Sequence, residues 1–91
     1  MIKKYVKVPI RILNNYQLST GSKILFGEIF SLCNKEGYCY ASNKYLADSL
    51  ALSKKTISNY IRELRDEGII EYKIIKGNIR NIFIRNIELY L

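Results

Sequence analysis

Apolar positions change their period along the chain, and each change predicts an element. Tyr5-Val6-Lys7-Val8 alternates and reads as a strand or an extended arm. Pro9 then suits the first turn of a short helix through Leu13. Residues 18–22 form a helix entry with Ser19 as N-cap. Behind it Ile24, Leu25, Ile29, Leu32 and Cys33 recur at helical spacing and should face a core, and Gly37 marks a stop near Asn34. Tyr38-Cys39-Tyr40 is too short for a helix and reads as a brief strand. Ser42 opens a second helix over 43–50, with Leu46, Ala47 and Leu50 inward. Ala51-Leu52 is a tight connection, in which Ala51 should be helical or extended rather than left-handed. Ser53 caps a third helix running to Glu67, with Ile57, Tyr60, Ile61 and Leu64 in one buried stripe at i, i+3, i+4 and i+7. Gly68 stands where a helix-ending glycine belongs.

After Gly68 the period becomes that of strands. Residues 69–75 and 79–85 are two such runs, and Lys76-Gly77-Asn78 between them supplies a positive-φ turn, so the pair reads as a β-hairpin. The predicted fold class is α+β: a three-helix core with a C-terminal hairpin. It forms a single domain over 1–91, with an extended lead-in (1–17), a helix-turn-helix (42–67) and a wing (69–85).

A chain of 91 residues can build one core but not a core plus a large enclosed active site. Fifteen Lys and Arg against eight Asp and Glu give +7, which favours a polyanionic partner, nucleic acid before an acidic membrane. Met1-Ile-Lys-Lys does not lead into an apolar signal, and residues 24–33 are too short and too interrupted to span a bilayer, so a cytoplasmic protein is expected. Cys33 and Cys39 are then expected to be reduced and buried, with a disulfide between them the alternative. With no His and two Cys there is no ligand set for a structural zinc. No paired carboxylate in an apolar setting and no glycine-rich phosphate loop is visible. No enzyme, catalytic residue, cofactor or small-molecule substrate is therefore predicted.

The third helix carries the candidate chemistry. Opposite its buried stripe stand Lys54, Lys55, Ser58, Asn59, Arg62 and Arg65, with no acid over 54–62. Cations, amides and hydroxyls are the groups that reach phosphates and base edges in a DNA major groove. Glu63, Asp66 and Glu67 are held back to the far end and read as solvated, with Arg62 spaced to pair with Asp66. Ser42, Asn43 and Lys44 open the supporting helix, and Ser53 and Thr56 open the third, where free backbone N–H groups suit phosphate. Lys73, Lys76, Asn78 and Arg80 are expected to cluster near the hairpin tip and meet flanking backbone or minor groove. Ser42 and Ser53 also read as simple caps. The hairpin also reads as a lid on the core, and Tyr40, Tyr45, Tyr60 and Tyr72 as core or core-rim aromatics.

From about Tyr5 to Ile84 the chain resembles the winged-helix domains at the N-terminus of plasmid and phage replication initiators and replisome organisers of low-G+C Gram-positive bacteria. The segments YVKVPIRILNNYQLSTGSKILFGEIFSL and GYCYASNKYLADSLALSKKTISNYIRELRDEGII carry the likeness, with Tyr45-Leu46-Ala47 in the supporting helix and 53–57 opening the recognition helix. The resemblance implies binding to double-stranded DNA and partnership with replication proteins. Small transcription regulators share the motif, and a protein-docking module of the same fold is a further alternative. Ala51 departs from the glycine common in the turn. The further C-terminal region of longer members would be missing from a chain ending at Leu91. The apolar stretch Ile87, Leu89, Tyr90 and Leu91 is free to pack as an extra strand or to form a homodimer contact.

Overall fold

The computed structural model describes residues 5–33, 37–77 and 79–91. In chain order these contain α1 (Ile10–Leu13), α2 (Thr20–Leu32), β1 (Tyr38–Cys39), α3 (Asn43–Leu50), α4 (Lys54–Asp66), β2 (Ile70–Lys76) and β3 (Ile79–Ile84), followed by a 3-10 turn over Ile87–Tyr90. The strands form one antiparallel sheet in the order β1-β3-β2, with Tyr38 opposite Phe83 and Ile70 opposite Ile84. Among the described residues, four helices and this sheet make an α+β winged helix-turn-helix fold. The predicted Asn78 and the predicted helix stop near Asn34 lie outside the described residues.

The helix starts follow from three serines. Ser19, Ser42 and Ser53 each hold extended backbone and accept through the hydroxyl from the N–H three residues on, Ser22 at 3.3 Å and Tyr45 and Thr56 at 3.0 Å. Such caps contribute about 1 kcal/mol each. Gly68 and Gly77 take φ of +73° and +57°, as the end of α4 and the hairpin turn require. Pro9 is the N-cap of α1 rather than its first residue, and its carbonyl accepts from Ile12 and Leu13 at 3.0 Å.

The core lies where α2, α3, α4 and the sheet meet. Leu25, Phe26 and Ile29 of α2, Leu46 and Ala47 of α3, and Ile57, Ile61 and Leu64 of α4 close on Cys39, Ile70, Ile82 and Ile84 of the strands. Tyr60 is half-buried, and its ring lies so close over α2 that a Cβ on Gly21 would sit 2.2 Å from it. Ile24 departs from the predicted core set. It is 42% exposed, and Phe26 takes the inward place. Leu32 and Cys33 only border the core. Glu28 is fully buried, where its carboxylate accepts from Ser49 Oγ at 2.7 Å and so ties α2 to α3.

The structure decides between several alternatives that the sequence leaves open and corrects other expectations. The lead-in takes the extended-arm alternative rather than the strand, and it lies against α2: a Cβ on Gly27 would meet Val6 Cγ1 at 2.4 Å and the Lys7 carbonyl at 2.7 Å. The C-terminal stretch is not an added strand, and it leaves Leu89 and Leu91 exposed. It turns back, and the Tyr90 ring meets Phe26 edge-on at 5.0 Å between centroids. Both cysteines are free thiols. Burial first, and then the neighbouring Cys39, pushes the Cys33 thiol up to about 11, so it stays protonated at neutral pH. Tyr40 and Tyr45 are exposed, at 69% and 52%, and are not rim aromatics.

Ala51 is the correction with most consequence for the turn. It adopts left-handed backbone (φ 57°, ψ 44°), and its N–H and that of Leu52 both return to the Ala47 carbonyl. The geometry of the α3–α4 connection therefore overrides the preference of the residue, at a cost of about 1–2 kcal/mol. Glycine would remove that cost but raise the entropy of the unfolded chain by about 0.5–1 kcal/mol. Ala51→Gly is accordingly expected to stabilise the protein by up to about 1 kcal/mol. The check is the urea midpoint, which should rise with no change in m-value.

Candidate nucleic-acid interface

Helix α4 presents its chemistry by arithmetic. At about 100° per residue, Lys55, Asn59 and Arg62 fall within about 60° of arc, and Ile57, Ile61 and Leu64 fall on the opposite side. The apolar three are buried and the polar three exposed. Lys54 is exposed at the first position of the helix, to one side of this arc. None of the four has a hydrogen-bond or ion-pair partner among the described residues. Thr56 and Ser58 are half-buried at the shoulder of this face, and the Ser53 and Thr56 hydroxyls hydrogen-bond each other at 2.9 Å.

The supporting helix adds less free charge than its sequence suggests. Lys44 is exposed but pairs with Asp48 at 2.8 Å, a bond that raises its ammonium pKa. Ser42 is exposed and spends its hydroxyl as a cap acceptor for Tyr45. Asn43 is half-buried, and its side-chain carbonyl accepts from Arg80 of β3.

The basic cluster predicted at the hairpin tip is split. Lys76 is exposed at the end of β2. Lys73 lies on the outer sheet face, its ammonium 5.8 Å from the centroid of the Phe83 ring. Arg80 is opposite Ile74 on the inner face, one residue in from the last strand pair of the hairpin. It is half-buried against Asn43 and Tyr72, and burial lowers its pKa. The strand alternation explains the split, because residues two apart share a face and neighbours do not. The wing also exposes Ile74, Ile75 and Ile79.

Two acid–base expectations are overturned. Glu63 is not merely solvated: its carboxylate accepts from the Ser19 N–H at 2.6 Å and lies 3.1 Å from the Ser19 hydroxyl, joining α4 to the start of α2. Asp66 pairs not with Arg62 but with Arg65, at 3.2 Å. Arg65 also donates to the Tyr72 hydroxyl at 2.6 Å, which draws it away from the outward face. Sequence reasoning missed Tyr72 as a part of the site, although its alternation with Ile70 placed it on the inner face beside the end of α4.

Among the described residues no cluster of His, Cys, Asp and Glu could hold a metal ion, and no helix is long and apolar enough to cross a membrane.

A helix pair joined by a three-residue turn, with a hairpin folded beside its second helix, defines the winged helix-turn-helix class. Residues 16–70 match a family described as helix-turn-helix domain, more than half of the chain, and the protein belongs to that family. Among solved structures, one described as the N-terminal domain of a DNA binding protein superposes with a TM-score of 0.69 at 15% identity, covering 92% of this chain and 76% of that one. No curated protein matches the chain by sequence.

The Glu63 contact generates a test of what holds α4 in place. Removing the carboxylate in Glu63→Ala strips the acceptor from the Ser19 N–H and is expected to cost about 1–2 kcal/mol. A thermal melt should show the loss, while the far-UV circular dichroism of the native state stays unchanged.

Proposed function

We propose that this chain is a sequence-specific double-stranded DNA-binding domain that reads the major groove with α4. The observation that carries the reading is the outward arc of Lys55, Asn59 and Arg62, exposed and without internal partners, on a helix locked down by its opposite side. An amide at Asn59 suits the adenine N6/N7 edge, while Lys54, Lys55 and Arg62 suit phosphates or guanine. The net charge of +7 supplies the salt-dependent attraction that such proteins use. The neighbouring fold described as part of a DNA binding protein supports the same reading.

The process we favour is plasmid or phage replication initiation, in the cytoplasm and alongside other replication proteins. It rests on the likeness of residues 5–84 to initiator domains. A transcription-regulator role of the same fold differs in where the target lies. We read the domain as non-enzymatic. The chain has no His, and its buried carboxylate Glu28 is engaged by Ser49 rather than facing solvent.

Selection of bound duplexes from a random pool tests this directly. One enriched site is expected, and its position at an origin or at a promoter separates the two processes. Two half-sites about 34 Å apart would report a homodimer. With about 5–7 phosphates contacted, log K should fall against log salt with a slope of about −4 to −6. Lys55→Ala with Arg62→Ala should abolish measurable binding in a gel shift while the melting temperature holds. Undiminished affinity of that variant would reject α4 as the reading helix. Salt-independent, negligible binding by the wild type would favour a protein-docking role.

A further inference from the structure

Beside the first turn of α3 lies an open-mouthed cavity of about 410 Å³. It is lined by Leu32 at the end of α2, Cys39 of β1, the link residues Tyr40, Ala41 and Ser42, and Tyr45 of α3. It shares no residue with the outward arc of α4. Both of its tyrosines are exposed, and neither ring has a hydrogen-bond, cation or ring partner among the described residues. Other tyrosines are engaged: Tyr38 tilts against Phe83, Tyr72 takes two guanidiniums and Tyr90 meets Phe26. Ser42 adds an unused donor, because its oxygen accepts from the Tyr45 N–H while its own proton has no acceptor among the described residues.

The lining combines two π-faces, the apolar groups of Leu32 and Ala41, and hydroxyls that can meet a polar edge. Burial pushes the Cys39 thiol up, so that side chain stays uncharged at neutral pH. Such a lining suits a planar ring with polar substituents. The volume falls near the low end of ligand pockets, which span roughly 300–1,000 Å³. It admits one ring system, whereas a partner helix is about 10–12 Å across. No lining residue is acidic, and the chain as a whole carries +7. That field draws in a ring attached to an anionic backbone, which is the chemistry of a nucleotide strand. A base inside a duplex is stacked on both faces and paired along its edge, so only an unpaired base can enter.

We infer that this cavity captures a base of single-stranded DNA, with Tyr40 and Tyr45 as its stacking surfaces. The inference goes beyond the duplex-binding reading and rests on it only for the source of the strand, which is DNA. The outward arc of α4 and the tyrosine cavity serve two states of one target, paired and unpaired.

The test follows the fluorescence anisotropy of a labelled oligo(dT) of about 12 nucleotides, with the selected duplex titrated separately. Tyr40→Ala and Tyr45→Ala should each weaken single-strand binding by about 5- to 150-fold, the equivalent of one stacked base. Duplex affinity should stay at the wild-type value in both. Tyr40→Phe and Tyr45→Phe keep the π-face and should retain single-strand binding. Unaltered oligo(dT) affinity in both alanine variants would overturn the inference, and so would equal losses for duplex and single strand. Tighter binding of oligo(U) than of oligo(dT) would overturn DNA as the source. Should an alanine variant fail to fold, the ring resonances of Tyr40 and Tyr45 in the wild type decide. They shift on adding oligo(dT) if a base stacks there and stay put if none does. Ring shifts that follow dilution of the free protein would assign the cavity to a second copy of the chain and overturn base capture. A wild type that binds the duplex but not oligo(dT) sinks this inference alone, whereas one that binds oligo(dT) but no duplex sinks the duplex reading and leaves the cavity standing.

Discussion

The seating of α4 governs everything this molecule presents. An isolated helix of 13 residues is marginal in water, so α4 exists because Ile57, Ile61 and Leu64 are buried against α2, α3 and the sheet. Each such side chain removed from water contributes about 2 kcal/mol. That burial fixes the rotation of the helix about its axis. Once rotation is fixed, Lys55, Asn59 and Arg62 have no choice of direction. The polar outward arc is the complement of core packing on the same 13 residues.

Rotation alone leaves the helix free to tilt, and polar contacts near its C-terminal half remove that freedom. Glu63 holds the N-terminus of α2, where four backbone donors begin without helical partners. Two residues on, Arg65 holds Tyr72 of the wing. Both contacts use charged groups that the pattern alone assigns to solvent. The acid-free stretch and the acid-rich end of α4 therefore differ in more than the sign of their charge. The first carries exposed cations with no internal partner, and the second carries charges spent on holding the helix in place.

The fold was legible because local and tertiary signals agree. Ser19, Ser42 and Ser53 cap where the apolar period starts, and the period switches from helical to alternating at Gly68. The outer face of α4 was legible for the same reason, since a strong stripe at Ile57, Ile61 and Leu64 defines its own opposite. The misses share a different cause. Ala51 takes a left-handed turn that its residue type disfavours, because two N–H groups close on one Ala47 carbonyl. Glu63, Arg65, Tyr72 and Arg80 find partners 7 to 44 residues away or on another element, and no spacing rule along one helix reports that. Ile24 was placed inward by spacing, while Phe26, more bulky and equally compatible with the helix, fills the space.

The hairpin shows how such long-range pairings redistribute charge. Four basic or amide residues between 73 and 80 look like one cluster when read along the chain. Strand pairing puts Lys73 opposite Asn81 and Arg80 opposite Ile74, on different faces of a single ribbon. On the outer face an ammonium rests near an aromatic ring and remains hydrated at modest cost. On the inner face a guanidinium is drawn half out of water toward Asn43 and Tyr72. A cation in the second setting is worth more to an incoming phosphate, because the low-dielectric surroundings that penalise it alone strengthen its attraction to an anion. If the wing meets DNA as the sequence predicts, its contribution would be set less by how many cations it carries than by which side of the ribbon they occupy.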